Sequence, residues 1–209
     1  MTFEISPIGQ SDFEAVFALA VSSFATQSTL HAAVGISVED YASYLRPSFQ
    51  DMIDEGLSLK AIDNDNGTVL GAIIATDLVN CLSPSAPSDR RFRPIVALTQ
   101  SLLQSYVENE ALMAGAIALV DMGFTAPEAR GSGIYNALRT TVHSHLASLG
   151  YQRVLGELSS AATQHVVLKK LGHRAVAQIS FQEFEFEGAK PFDEITEPTE
   201  IILSEGILG

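Results

Sequence analysis

The chain has 209 residues, 46% of them hydrophobic, and its 25 acidic and 12 basic side chains give a formal net charge of −13. This is enough apolar material for a sizeable core, and it disfavours nucleic-acid and anionic-membrane surfaces, because an acidic chain repels phosphate unless its basic residues are segregated. The single cysteine, Cys81, excludes disulfide scaffolds and cysteine-rich zinc sites, and no apolar run reaches the roughly 18 residues of a spanning helix.

The N-terminal stretch MTFEISPIGQSDFE has neither the basic region nor the apolar run of a secretory signal, so the expected location is cytoplasmic. Phe3, Ile5 and Ile8 predict a short first strand. Ser11 and Glu14 form a capping-box pattern that opens a helix through Phe13, Val16, Phe17, Ala20, Val21 and Phe24. Ser37 with Asp40 predicts a second capped helix, carrying Tyr41, Leu45, Phe49, Met52 and Ile53 and ending before Gly56. Two strand-like runs then flank DNDNG, where Asn66-Gly67 is a strong hairpin signal because both residues tolerate positive φ.

A Pro/Ser-rich loop, CLSPSAPSDRRFRP, follows. Its Arg90, Arg91 and Arg93 read either as a solvated loop or as a clamp for an anion. Pro94 can start a helix through Val96, Leu98, Leu102, Leu103 and Val107. AIALVDMGFT is apolar enough for a strand buried on both faces. The next segments read as a helix with Ile134, Leu138, Val142 and Leu146 on one side, a strand RVLGEL, a short helix AATQHVVLKKLG, a strand AVAQISFQEFEF and a last strand TEIILSEGIL. Strand, helix and strand of this length make a right-handed parallel crossover. With no repeat and no clear linker, residues 1–209 read as one domain.

The junction TAPEARGSGIYNAL places Arg130, Gly131, Ser132 and Gly133 where a buried strand hands over to a helix. A helix start offers unpaired N–H groups and partial positive charge, and glycines let the backbone approach a phosphate. The Lys-Ser/Thr pair of a Walker loop is missing, and Asn136 stands where the Rossmann pattern needs its third glycine. The ligand stays open at this point: either a pyrophosphate cradle or a tight helix start.

ALVDMGFTAPEARGSGIYNAL resembles the coenzyme A-binding motif of the Gcn5-related N-acetyltransferase (GNAT) superfamily, R/Q-x-x-G-x-G/A, which falls on Arg130, Gly133 and Tyr135. The first two match, and Tyr135 replaces the final small residue. SSAATQHVVLKKLGH resembles the later family helix that ends in Lys-Leu-Gly, here Lys170, Leu171 and Gly172, with His173 in place of the aromatic. The order of elements agrees along nearly the whole chain, except for a helical insertion at about 82–114.

The resemblance implies an α/β fold: a mixed, mostly antiparallel sheet flanked by helices, with a splayed parallel strand pair holding acyl-CoA. It implies acetyl transfer from acetyl-CoA to a primary amine, most simply of a small molecule, by direct attack and without a metal. The pantetheine arm would pair near Phe124 and Thr125, and the pyrophosphate would meet Arg130 and the amides of Gly131, Ser132, Gly133, Ile134 and Tyr135. Asp121 and Glu157, acids in apolar strands, are the candidate bases, since burial raises a carboxyl pKa. Strand alternation puts Leu119, Asp121, Gly123 and Thr125 on one face. The usual tyrosine acid of the family is replaced by Leu168, which leaves His165, Ser159 or Ser160 as substitutes, or a thiolate that departs unassisted or takes its proton from solvent.

The expected partner is a small-molecule amine, with no nucleic acid and no membrane, and the late strands offer a surface for a homodimer. A non-catalytic acyl-CoA-binding sensor is the alternative, supported by Tyr135 and Leu168. His143 and His145 read as surface residues that form no metal pair, and Cys81 as an unactivated thiol. Tyr41, Tyr44, Phe17, Phe24 and Phe49 read as core, some of them lining an acceptor pocket.

Overall fold

The computed structural model describes residues 2–82, 87–108 and 110–209. Strand β1 (Phe3–Pro7) leads through a short 3-10 turn to helices α1 (Phe13–Gln27), α2 (Thr29–Ala33) and α3 (Val38–Asp54). The hairpin β2 (Leu59–Asp63) and β3 (Val69–Asp77) follows, then α4 (Leu78–Cys81), α5 (Arg93–Val107) and β4 (Ile117–Thr125). The last part holds α6 (Ile134–Ser148), β5 (Arg153–Leu158), α7 (Ala161–Gln164, continued by a π-helical turn His165–Lys170), β6 (Arg174–Ser180) and β7 (Glu200–Ile207).

Local chemistry accounts for most boundaries. The Ser37 hydroxyl accepts from the Asp40 amide at 3.1 Å, and the Asp40 carboxylate accepts from the Ser37 amide at 3.0 Å, a reciprocal cap. The predicted Ser11 cap does not form. Instead Asp12 Oδ2 accepts from the Gly9 amide and from Lys60 Nζ, both at 2.7 Å, which ties the start of α1 to β2. Gly67 turns the hairpin at φ 72°. The predicted strand AVAQISFQEFEF is shorter than read: β6 stops at Ser180, and Phe181 leaves the edge to pack against Phe192 in the core.

The described strands form one seven-stranded sheet in the order β1-β2-β3-β4-β5-β7-β6. Every pairing is antiparallel except β4–β5. Helices α1 and α3 cover one face, where Val16, Phe17 and Phe49 meet Ala72 and Ile74. Helix α6 covers the other face, placing Leu138, Val142 and Leu146 against Ile73, Ala75, Val120 and Val154. The expected insertion contains α5, which is no appendage: Leu98 and Leu102 are fully buried with Leu119, Leu155 and Leu203. Residues 83–86 of the Pro/Ser-rich loop and residue 109 lie outside the described residues.

Two irregularities in the middle of the sheet position the site. The parallel register of β4 and β5 runs from Ile117↔Arg153 to Val120↔Gly156 and stops there, although both strands continue. On the other side of β4, the register with β3 shifts between Ile74↔Met122 and Ala75↔Val120. Asp121 is therefore an extra residue with no partner opposite it, a β-bulge at the root of a fork.

Candidate active site

The upper end of the fork is the turn from β4 into α6. Gly131 and Gly133 adopt φ 74° and 85°, a left-handed conformation that glycine takes without a Cβ clash, and a Cβ at either would point into open space. The first helical amide to find an acceptor is that of Ala137, which donates to the Gly133 carbonyl at 3.0 Å. The amides of Ile134, Tyr135 and Asn136 find none among the described residues. Ser132 Oγ is turned back to the Ala129 carbonyl, and Arg130 is exposed beside the turn.

Tyr135 does not crowd this turn. A Cβ placed on Gly123 would stand 2.7 Å from Tyr135 Cε2 and 2.8 Å from Ile73 Cδ1, so the ring lies flush against the bare backbone of β4. The bulky residue at the family's small-residue position is accommodated by a glycine one strand away. Phe124 and Thr125 pair with Ala72 and Gly71 of β3 along one edge of β4. Their other edge lies beyond the last β4–β5 rung and is free of β5.

At the lower end stand two carboxyl groups. Asp121 and Glu157 are each the first residue past the Val120↔Gly156 rung. Both are half-buried, and neither has a cation or hydrogen-bond donor among the described residues. Burial pushes Asp121 up to about 6. Burial, and then the charge of Asp121, push Glu157 up to about 8. The predicted alternation fails at this point. Gly123 lies under Tyr135 on the α6 face, whereas Asp121 acts on groups across the opposite face, raising the pKa of Tyr41, Tyr44 and Cys81 after burial has done so. The bulge between the two residues removes the common face.

The wall opposite the acids is aromatic. His31 and Tyr41 lie 4.6 Å apart, Tyr44 stacks on Phe92 at 4.1 Å, and Phe24 bridges Tyr41 and Phe124. Tyr41 donates to Met122 Sδ at 3.5 Å. His31, held against the Phe24 carbonyl, is kept neutral by burial. Tyr44 is the exposed member of the group, at 38%.

Other sequence candidates fall elsewhere. His165 is exposed at the start of the π-turn, and no hydrogen bond joins it to the acids. Ser160 is occupied as the cap of α7, accepting from the Thr163 amide. Leu168 packs beside Leu158, Val167 and Ile202. Arg91 is not a free anion clamp, because it pairs with Asp40 and Asp89 and donates to the Gly35 carbonyl. Burial, and then the charge of Asp121, raise Cys81 to about 12, so its thiol stays protonated. His143 is not a surface residue as predicted: its ring stacks on buried His173 at 4.9 Å, with the two Nε2 atoms 3.2 Å apart.

No protein-family model matches the sequence, and no curated protein matches it by sequence. Solved structures do match. The C-terminal condensation domain of Ebony, in complex with beta-alanyl-dopamine, superposes with a TM-score of 0.90 over 99% of each chain at 15% identity. Arylalkylamine N-acetyltransferase 2 from Aedes aegypti gives 0.84 over 100% of each chain at 17% identity. The fold is that of the Gcn5-related N-acetyltransferases. The polyamine N-acetyltransferase of Drosophila melanogaster shares this N-acetyltransferase fold with a TM-score of 0.74 at 14% identity, over 99% of each chain.

Sequence reasoning missed two residues of α6. Arg139 is 1% exposed and lies against Gly156, the last paired residue of β5. Its Nε and Nη2 are buried without a partner among the described residues, as is Oδ1 of Asn136 one turn earlier. The available signal was a glycine inside the apolar strand RVLGEL, which marks a close approach by another group.

Proposed function

We propose that the protein is an acyl-CoA-dependent N-acyltransferase that acetylates a small primary amine. One arrangement carries the reading: a turn with unpaired helical amides and two raised carboxyl groups stand at opposite ends of the same β4–β5 fork. The turn suits a pyrophosphate, since the amides of Gly131, Gly133, Ile134 and Tyr135 and the guanidinium of Arg130 supply donors and positive charge where glycine leaves room. Acetyl-CoA bound there would supply an activated acetyl thioester. The free edge of β4 at Phe124 and Thr125 would hold the pantetheine arm.

The acceptor enters from the aromatic side. A protonated amine is attracted by the ionised member of the Asp121–Glu157 pair and by the exposed ring of Tyr44. Glu157, in its ionised form, takes a proton from the nitrogen. The nitrogen lone pair forms its bond to the thioester carbon, the C–S bond breaks, and the second nitrogen proton passes through solvent to the departing thiolate. No tyrosine acid is needed at Leu168 for these steps to balance. The solved neighbours named for arylalkylamine and polyamine substrates support an amine acceptor.

The non-catalytic reading loses one of its two supports, because the ring of Tyr135 is seated on Gly123 rather than in the glycine turn. The test is calorimetric titration with acetyl-CoA, followed by an acceptor panel of arylalkylamines, polyamines and amino acids read by free-thiol release. Binding with amine-dependent release supports transfer. Binding with no release for any amine would leave a sensor.

A further inference from the structure

His143 lies in α6 and His173 directly precedes β6, so the pair joins the helix to the far edge of the sheet. Their Nε2 atoms stand 3.2 Å apart. Gly206 makes room for this approach, because a Cβ there would overlap His173 Nε2. A buried network assigns the tautomer of His173. Ser204 Oγ donates its only proton to the Gly156 carbonyl at 3.2 Å, so it accepts from His173 Nδ1, 3.3 Å away. The lone pair of His173 Nε2 is therefore left facing His143, which donates its own Nε2–H to it.

An imidazole prepared as a metal ligand has this form: one nitrogen donates to a fixed acceptor, and the other keeps an aimed lone pair. Two imidazole nitrogens at about 2.1 Å from one ion, set between a right angle and the tetrahedral angle, stand roughly 3.0–3.4 Å apart. The separation of 3.2 Å falls inside that range. Burial, and then the charge of Arg139, push His143 down to about 4 and His173 down to about 3, so both rings are neutral, the form that binds metal. The charged groups around the pair are Arg139 of α6, Arg174 of β6 and Glu205 of β7. Arg139 opposes a further cation, and Glu205 offsets it at His173.

A cavity of about 310 Å³ is lined by both histidines together with Gly172, Glu205, Gly206 and Ile207, and exposed Ile207 puts it at the surface. Both oxygens of Glu205 are already held, Oε1 by Tyr106 and Arg153 and Oε2 by Arg174. No third histidine, cysteine or carboxylate completes a metal-binding group among the described residues. The remaining coordination positions are thus left to water in the cavity. We propose that His143 and His173 chelate one divalent late transition-metal ion here, copper in preference to zinc, and so cross-link α6 to the start of β6. The ion replaces the proton between the two Nε2 atoms, and His143 keeps its proton on Nδ1. The proposal is independent of the acyltransferase reading, since Asp121 acts across the opposite face of the sheet.

The experiment is titration of the metal-free protein with Cu²⁺ and, separately, Zn²⁺, read by calorimetry and, for copper, by electron paramagnetic resonance. The variants are His143→Phe, which keeps a ring against His173, His173→Asn, and His165→Ala as a control. The proposal expects one equivalent of copper with coupling to two nitrogens, and a higher unfolding temperature of the wild type with metal. Each of the first two variants should bind at least about tenfold more weakly, and His165→Ala should bind as the wild type does. Binding should persist at about pH 5.5, where an ordinary histidine is mostly protonated. Should His173→Asn fail to fold, His143→Phe decides by the same loss. Equal affinity in the wild type and His143→Phe, or a copper spectrum without two nitrogens, would mean an adventitious ion only and would overturn the proposal. Release of the metal between pH 7 and about 5.5 would also overturn it, because the ligands would then be ordinary surface histidines.

Discussion

Asp121 and Glu157 occupy equivalent positions on neighbouring strands, each the first residue beyond the last hydrogen-bonded rung, and the charge of one raises the pKa of the other. With Asp121 raised to about 6 and Glu157 to about 8, the pair holds one proton between those pH values. In the proposed reaction, one ionised and one protonated carboxyl group would face an arriving ammonium.

Activity should follow that proton. With Asp121 at about 6 and Glu157 at about 8, kcat/KM for an amine should climb between these values as the pair ionises. Asp121→Asn removes the neighbouring negative charge, so ionisation of Glu157 becomes easier and the upper limb should move to lower pH. Glu157→Gln should abolish the upper limb and lower kcat by about 10²–10⁴-fold. A pH–rate profile of the three proteins checks this.

The same pair makes a stability prediction. A carboxyl whose folded pKa is raised binds its proton more tightly in the folded state, so its stabilising contribution is full below its unfolded pKa and is lost as pH rises through about 8 for Glu157. Glu157→Gln should therefore gain stability relative to the wild type as pH rises from 5 to 9. Chemical denaturation at those two pH values measures the difference.

The glycine turn has a separate test. Gly133 holds φ 85° at the start of α6, and a side chain there is both strained and aimed into open space. Gly133→Asp should remove acetyl-CoA binding by adding a negative charge to the anion cradle. Strain should lower stability by only about 1–2 kcal/mol. Calorimetry and thermal unfolding separate the two effects.

Gly123→Ala should cost about 1–3 kcal/mol, because its methyl group overlaps both Tyr135 and Ile73. Adding Tyr135→Ala should recover part of that loss by opening space over β4. A double-mutant cycle in denaturant reads the coupling, and additive effects would mean that the ring is not seated on Gly123.

Much of this architecture was legible in the sequence. The Ser37–Asp40 cap, the Asn66-Gly67 hairpin, the buried strand and the Arg130–Gly133 junction are local signals, and each formed where the pattern placed it. The bulge at Asp121 was not legible, because it depends on the register of β3 against β4, Ile74↔Met122 and Ala75↔Val120, between residues far apart in the chain. Alternation counted along one strand cannot detect an extra residue. Tyr135 looked like an obstruction because its partner, Gly123, lies across a turn and on another element. Arg139 was missed because a cation on an amphipathic helix ordinarily faces solvent, and only the packing of α6 over Gly156 turns it inward.

The most direct measurement is amine-dependent thiol release from acetyl-CoA by the wild type, Asp121→Asn and Glu157→Gln, with acetyl-CoA affinity measured on the same samples. The account predicts release by the wild type, a loss of at least about a hundredfold in Glu157→Gln, and unchanged acetyl-CoA affinity in all three. Release that is undiminished in Glu157→Gln would contradict the assignment of the acid pair. An absence of release by a wild type that binds acetyl-CoA, across the whole amine panel, would contradict the transferase itself.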